Sequence, residues 1–507
     1  MTTGKHDQAD TAGYRTIFKS SSLLGGSQGV CYVFGLARTK ALAYLLGPAG
    51  VGLVGLYASI SGTLGTFAGM GLGESSIREV ATAHGSGSPV QFGRAVKIIR
   101  RACFMSGIVG VVLSIIFANY LSVQSFGNGD HTKAIMILGL TLLGGAFTAG
   151  EMAILQGTGR YMEMAKMNIV SSVVGILPVV LIYVWWQERG IIPAFLMGSL
   201  LSALTTRWFS RTVTVPGCCI TWKETLAGIK PLFSLGAAFM LTGLLWAGKD
   251  MVIRSSITRT YGLDSAGIYQ SAWAVSGLFV NFVLRAMGMD FYPRLTAMIG
   301  DHGAMVRAVN QQIEIGVLLA LPGVIATITC APMVILILYS SKFHAASGLL
   351  AVMSCGVFFK VVSYPLNTIQ LAKGDARGFA AFGIGLGLFE AVITVLMLWK
   401  FGLMGSAVAF PIACLVHVFA MGIVGRRTIS YQIERECRTL LFAALGLISI
   451  SLVVAFFLQG YNALGVGVIL SAISSIYSMR GLARRLGSDH RIVKMLARVP
   501  GGKFVIP

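Results

Sequence analysis

Apolar residues in this chain come in long blocks separated by short polar ones. A run from Leu23 to Leu46 turns through Leu46-Gly47-Pro48-Ala49-Gly50, and a second run, Val51 to Leu72, ends at Gly71-Leu72-Gly73-Glu74, followed by Arg78 and Glu79. About 20 apolar residues suffice to cross a roughly 30 Å hydrocarbon core, because a helix rises about 1.5 Å per residue. The pattern predicts spans near 20–46, 51–73, 98–121, 134–155, 168–186, 190–208, 231–254, 266–286, 312–338, 346–371, 378–399, 402–424, 439–458 and 462–480, about fourteen in all. The expected fold class is an all-α polytopic membrane protein.

An internal repeat divides the runs. Gly47, Gly52, Ser61 and Gly62 match Gly262, Gly267, Ser276 and Gly277 at a single offset of 215 residues. Six is an even number of spans, so both halves start from the same side and the repeat is parallel. The predicted organisation is an N-terminal cytoplasmic segment (1–19), a six-helix bundle (20–215), a cytoplasmic linker (216–230), a pseudo-symmetric second bundle (231–425), two additional helices (439–480) and a basic cytoplasmic tail (481–507). The tail reads as a surface helix on anionic lipid or as a topology anchor.

Composition agrees with membrane burial: 55% of the 507 residues are hydrophobic and 12% charged, with a mean hydropathy of +0.77. A net charge of +21 suggests nucleic acid in a soluble protein, but here its distribution follows topology. With both termini and the even-to-odd connections in the cytoplasm, that side holds about 30 of the 40 Lys and Arg. The outer connections are short and leave no room for an extracytoplasmic domain. Eight cysteines without CxxC spacing predict neither disulfide nor metal. Gly25-Gly26-Ser27-Gln28-Gly29 matches the nucleophile-elbow pattern only formally, since it opens a transmembrane helix. No Walker A or HExxH sequence occurs, and neither a catalytic residue nor a cofactor is expected.

Charges inside the runs carry the candidate chemistry, because a Lys or Arg in mid-bilayer costs about 2.5–3.5 kcal/mol unless it faces protein or water. Arg38 and Lys40 lie in the first span, about 200° apart around a helix. Both facing one lumen requires a bend there or a snorkelling side chain. Lys249, Asp250 and Arg254 lie at the matching depth of the seventh. Asp250 and Arg254 are placed to pair at i,i+4, whereas Lys249 and Asp250 sit on opposite flanks, leaving Lys249 without a local partner. Lys360 and Glu390 lie in mid-span on antiparallel neighbours, either as a structural ion pair or with Glu390 as a protonatable coupling site. Glu151 and Glu314, at inner span ends, read as interfacial or paired, or else as relay members. Glu74 and Arg78 leave the second span where they can latch the cytoplasmic mouth or stay solvated. Asp290, with Arg294, caps the inner end of the eighth or contacts a gate. His417 reads as a packing histidine.

Ser22 to Gly29, Ala37 to Leu53, Gly71 to Arg78 and Gly262 to Tyr269 resemble the polysaccharide transporters, the O-antigen translocase (Wzx-type) flippases of the multidrug/oligosaccharidyl-lipid/polysaccharide (MOP) exporter superfamily. The resemblance covers about residues 15–430 and is most specific over 37–80. It implies two bundles around a cationic lumen and an undecaprenyl-pyrophosphate-linked oligosaccharide moved by alternating access in a bacterial inner membrane, with no enzymatic step. It also implies Arg38, Lys40, Lys249 and Arg254 as substrate-binding residues; Lys360 joins them by depth alone. Asp250, Glu390, Glu74, Arg78 and Asp290 are the coupling or gating candidates. Implied partners are a polysaccharide polymerase, a chain-length regulator and anionic lipids. A drug or lipid II exporter on the same fold stays open, as does, from another class, a membrane polymerase or ligase, against which the short outer connections argue.

Overall fold

Backbone polar groups in hydrocarbon find partners only within a helix or a closed barrel. The computed structural model describes residues 3–458 and 460–486, excepting the side chains of 3–25, 234, 235, 237–239, 279, 281–283, 285, 286, 288–290, 376, 377 and 460–464. The described residues form thirteen α-helices and no strand: α1 Thr3–Gly69, α2 Leu72–Gly85, α3 Pro89–Phe126, α4 Thr132–Gly157, α5 Tyr161–Trp186, α6 Ile191–Ser210, α7 Trp222–Thr296, α8 His302–Thr329, α9 Ala331–Leu338, α10 Ala346–Ala372, α11 Ala376–Ile429, α12 Arg435–Phe457 and α13 Gly460–Leu486. Nine described segments are long and apolar enough to cross a membrane, and three of them, 44, 50 and 52 residues long, hold two crossings each. The 75 residues of α7 supply two more. By length, the described helices thus have room for the fourteen crossings that the apolar runs predict.

Three long helices break at a glycine: Gly47 (φ 66°, ψ −167°), Gly262 (φ 83°, ψ 175°) and Gly402 (φ 67°, ψ −158°). A side chain resists this region of backbone space and glycine does not. Gly47 and Gly262 are the repeat pair read from the sequence. The offset of 215 also joins Gly159 (φ 68°) to Gly374 (φ 73°) and Gln187 (φ 47°) to Gly402. The helix ends at Gly159 and Gly374 close through the same bonds: the amides of 158, 159 and 160 donate to the carbonyls of 154, 156 and 155, and those of 373, 374 and 375 to 369, 371 and 370. The duplicated six-helix bundle is therefore legible in the backbone, with α12 and α13 outside it.

The chain forms two compact units, Met1–Asp264 and Ser265–Pro507. In the first, Phe92, Val96 and Ile99 of α3 build a core with Leu155 of α4, Met164 of α5, and Val213 and Ile220 of the connection before α7. That connection is strapped to α3. Lys97 Nζ donates to the Cys218 carbonyl (2.9 Å), Arg101 donates to the Ile220 carbonyl (3.1 Å) and Thr225 Oγ1 (2.6 Å), and its guanidinium lies 4.6 Å over the Trp222 ring. The start of α7 crosses the α1–α2 turn backbone to backbone: a Cβ on Gly71 would lie 2.1 Å from the Gly236 carbonyl oxygen, and one on Gly236 2.2 Å from that of Met70.

In the second unit α8 is the spine. Its buried Asn310 donates to the Gln432 carbonyl (3.0 Å) and accepts from Tyr431 Oη (3.1 Å), holding the turn that leads into α12. One turn further along α8, Glu314 accepts from Arg485 Nε of α13 (2.5 Å). Gly481 packs on Leu318 and Gly467 on Thr329, so α13 follows α8 closely. The basic tail expected after Arg480 lies, from residue 487 onward, outside the described residues.

Candidate functional site

Polar side chains inside the first unit collect along one seam. At its lower end a cavity of about 290 Å³ is lined by Gln28, Cys31, Asn168, Ser171 and Ser172 among others. Next to it, and sharing Cys31, Thr148, Ser171, Ser172 and Ser202, is a cavity of about 540 Å³ that reaches Arg38 and Ser199. A third, of about 840 Å³, is lined by Leu45, Leu46, Trp185, Trp186, Gln187, Glu188 and Arg189. Residue numbers climb together on α1 and α5 from cavity to cavity, so the two helices run parallel and the cavities lie in series. Gln28 to Arg38 is about 15 Å of helix and Arg38 to Leu46 about 12 Å.

Arg38 is half-buried and is the one charged side chain lining the middle cavity among the described residues. Its guanidinium interacts with the buried hydroxyl of Tyr183 on α5. Several of the surrounding hydroxyls are satisfied as donors by their own or neighbouring helices. Thr148 Oγ1 donates to the Gly144 carbonyl (2.9 Å), Ser172 Oγ to Asn168 (2.8 Å) and Ser199 Oγ to Thr141 (3.0 Å). Their oxygens keep lone pairs for a guest, so the cavity offers a strong cationic donor beside a set of acceptors. That arrangement suits an anion carrying hydroxyl groups. Lys40 is exposed on a different face of α1. The break in α1 is at Gly47, so the helix does not bend at 38–40 to bring both cations to one cavity.

Near the inner end, Glu151 is buried at 1% exposure and held by Arg100 through Nε (2.8 Å) and Nη2 (3.1 Å) and by Arg207 (3.3 Å). It ties α3, α4 and α6 together, the paired alternative among its sequence readings. Its counterpart in role in the second unit is Glu314 with Arg485.

Lys249, Asp250 and Arg254 are brought together in α7. Arg254 Nη1 reaches Asp250 Oδ2 at 3.1 Å, the i,i+4 pair expected. The expectation that Lys249 lacks a local partner is corrected: its Nζ is 3.8 Å from Asp250 Oδ1 and 4.5 Å from the Trp246 ring centroid. Adjacent residues diverge by about 100° at Cα, but the lysine stem is long enough to fold back to its neighbour. Lys249 and Arg254 are buried, at 6% and 9% exposure. Two desolvated cations thus share one carboxylate.

In the second unit Lys360 (α10) and Glu390 (α11) are both half-buried, and Lys360 lies within electrostatic reach of His417. Subtracting 215 turns Lys360, Glu390 and His417 into Gly145, Gly175 and Ser202, all three of which line the Arg38 cavity. Small residues that leave space in the first bundle are thus replaced in the second by three titratable side chains. Glu74 and Arg78 are exposed on α2. The side chain of Asp290 lies outside the described residues; its neighbour in sequence, Arg294, donates to Gln311 Oε1 (3.3 Å).

Sequence reasoning missed the hydroxyl lining, Tyr183 and the Trp185 to Arg189 group. The signal for the last was available: Gln187 is a non-glycine where the repeat has Gly402.

Known proteins give the fold a context. The lipid III flippase of Escherichia coli (strain K12) is 23% identical over 401 residues, 76% of this chain and 92% of that protein. The capsular polysaccharide biosynthesis protein CapF of Staphylococcus aureus is 20% identical over 329 residues, 62% of this chain and 80% of its own. Among solved structures, the lipid II flippase MurJ in an inward closed conformation matches with a TM-score of 0.72 at 14% identity, covering 92% of this chain and 99% of that one. An inward-facing MATE family multidrug resistance transporter of the MOP superfamily matches at 0.65 and 16% identity, covering 79% and 94%. These likenesses establish a multi-pass membrane fold shared with MOP-superfamily transporters. The family described as "Polysaccharide biosynthesis protein" matches residues 41–348, more than half of the chain, and it is to this family that the chain belongs.

Proposed function

We propose that this protein is a flippase that moves an undecaprenyl-pyrophosphate-linked oligosaccharide, a repeat unit of O-antigen, capsule or exopolysaccharide, from the cytoplasmic to the periplasmic leaflet of a bacterial inner membrane. The observation that carries the reading is the middle cavity: one guanidinium, Arg38, among acceptor hydroxyls. Arg grips a phosphate bidentately, and the hydroxyl oxygens accept from sugar hydroxyls. The relatives named as a lipid III flippase and a capsular polysaccharide biosynthesis protein support the same substrate class. Lys249 and Arg254, sharing Asp250, form a second cationic station; Lys40 and Lys360 are supporting cations. Glu390, which with Lys360 and His417 holds a position whose repeat equivalent lines the Arg38 cavity, is the coupling site, with Asp250 its alternate, and Glu74, Arg78 and Asp290 act in gating as the protein alternates its access. N- and C-termini face the cytoplasm, where the basic connections lie.

Purified protein in liposomes, supplied with a lipid-pyrophosphate-linked oligosaccharide on one side, is expected to accumulate it in the opposite leaflet, faster with an imposed proton gradient. No movement under conditions in which a known flippase works would refute the reading. A drug exporter on this fold would take cations, which a guanidinium in the cavity repels; transport of a cationic dye without transport of the lipid-linked sugar would favour it.

A further inference from the structure

The upper cavity of the first unit lies beyond Arg38 and Tyr183 and is built differently. Two indoles, Trp185 and Trp186, are 73% and 57% exposed, and beside them stand Gln187, Glu188 and Arg189, all exposed. Leu45 and Leu46 of α1 close its other side. The pyranose ring has one face of axial C–H groups and an equatorial belt of hydroxyls. An aromatic plane takes the first, and an amide, a carboxylate and a guanidinium take the second in both donor and acceptor senses.

The backbone supplies an independent observation. Gln187 has φ 47° and ψ −129°, while Gly402 holds the corresponding position in the second bundle with φ 67° and ψ −158°. A side chain kept in such a region is strained, and such strain tends to mark functional sites. The second bundle makes the same turn without that strain, so the turn itself does not require glutamine. Tryptophan alone at this depth is what a membrane-interface belt uses. A belt needs neither a polar triad beside the rings nor a strained residue to aim it.

We infer that the Trp185, Trp186, Gln187, Glu188 and Arg189 cavity is a saccharide-binding site, taking a pyranose unit of the lipid-linked glycan at the end of the bundle away from the basic connections. The identity of the glycan rests on the flippase reading; the site's capacity to hold a sugar does not. On the expected topology this is the outer face, so the site receives the sugar as the head group emerges.

Two arms test it. In the first, intrinsic fluorescence of the detergent-purified full chain is titrated with cellobiose, N,N′-diacetylchitobiose and galactobiose. At least one is expected to change the emission in the millimolar range, with the response weakened about tenfold by W185A or W186A and largely restored by W185F or W186F. In the second, Gln187→Gly is expected to raise the melting temperature, as release of backbone strain requires, yet weaken the saccharide response. A response to none of the three sugars, or a Gln187→Gly protein that is more stable and binds unchanged, overturns the inference. Failure of the flippase reading is separate: it shows as no leaflet transfer by the unmutated chain. Normal transfer of the lipid-linked glycan by W185A and W186A, at wild-type rates, overturns this inference and leaves that reading standing.

Discussion

The two six-helix bundles share a backbone register but fill it with opposite chemistry. At positions 145, 175 and 202 the first bundle has Gly, Gly and Ser and keeps an open cavity beside Arg38; at 360, 390 and 417 the second has Lys, Glu and His. The duplication preserved what the chain needs to fold, its breaks at Gly47 and Gly262 and its closures at Gly159 and Gly374. Side chains within that scaffold were free to diverge. One copy offers room beside a cationic side chain, the other fills the equivalent positions with Lys, Glu and His. On the proposed function, the first bundle holds substrate and the second senses the gradient.

The largest expected effect breaks the first half of this contrast. Arg38→Ala should lower leaflet transfer by two orders of magnitude or more, the scale of truncating one partner of a desolvated charge pair. Arg38→Lys should retain a minor fraction, because a point charge replaces a bidentate fork. Liposome transfer at matched protein levels decides it, and full activity of Arg38→Ala would remove the cavity from the mechanism. Glu390→Gln tests the second half. It should cancel the acceleration by a proton gradient, about tenfold or less, and leave transfer without a gradient unchanged; loss of both would make Glu390 structural.

Stability sharpens the comparison further. Among the described residues, Glu151 serves two arginines in the first unit and Glu314 one in the second. Glu151→Gln should therefore destabilise more than Glu314→Gln, about 2 kcal/mol against about 1, both reduced by the partial exposure of the arginines. Thermal melts in one detergent would show the order, and equal losses would mean that Arg207 adds nothing.

The smallest effect concerns the turn between α3 and α4. There His131 stacks on Phe126 with centroids 3.7 Å apart, and its Nδ1 is 2.8 Å from Tyr57 Oη. Burial lowers its pKa from the ordinary 6.5, against the opposing pull of Asp130. The folded state prefers neutral imidazole, so this contribution is present above the unfolded value of 6.5 and is lost as pH falls through the lower folded value. Lower amide protection at 127–132 under mild acid, with exchange corrected for its intrinsic slowing and the drop absent in His131→Phe, is the expected result.

Much of this was readable from the chain. Apolar runs specify helices in a membrane because no other open structure satisfies the backbone there, and four matched small residues were enough to set the repeat. Arg38 stood out because a cation in an apolar run demands an explanation. The hydroxyls around it did not: Thr148 and Ser172 bond to their own helix four residues back, as such residues do in any membrane helix, and only packing shows which of them share a cavity. The Lys249 contact with Asp250 was missed because a helical wheel places Cα atoms and takes no account of side-chain length.

Asn310 and Glu314 have a consequence for chain length. A polypeptide ending after α11 would present on α8 an amide and a carboxylate that now face Tyr431, the Gln432 carbonyl and Arg485. The final pair of helices is therefore not an appendage that can be trimmed. A twelve-span descendant of this chain would leave both residues without those partners unless they too were replaced by apolar ones, and a truncation lacking that change is expected to be less stable than the full chain.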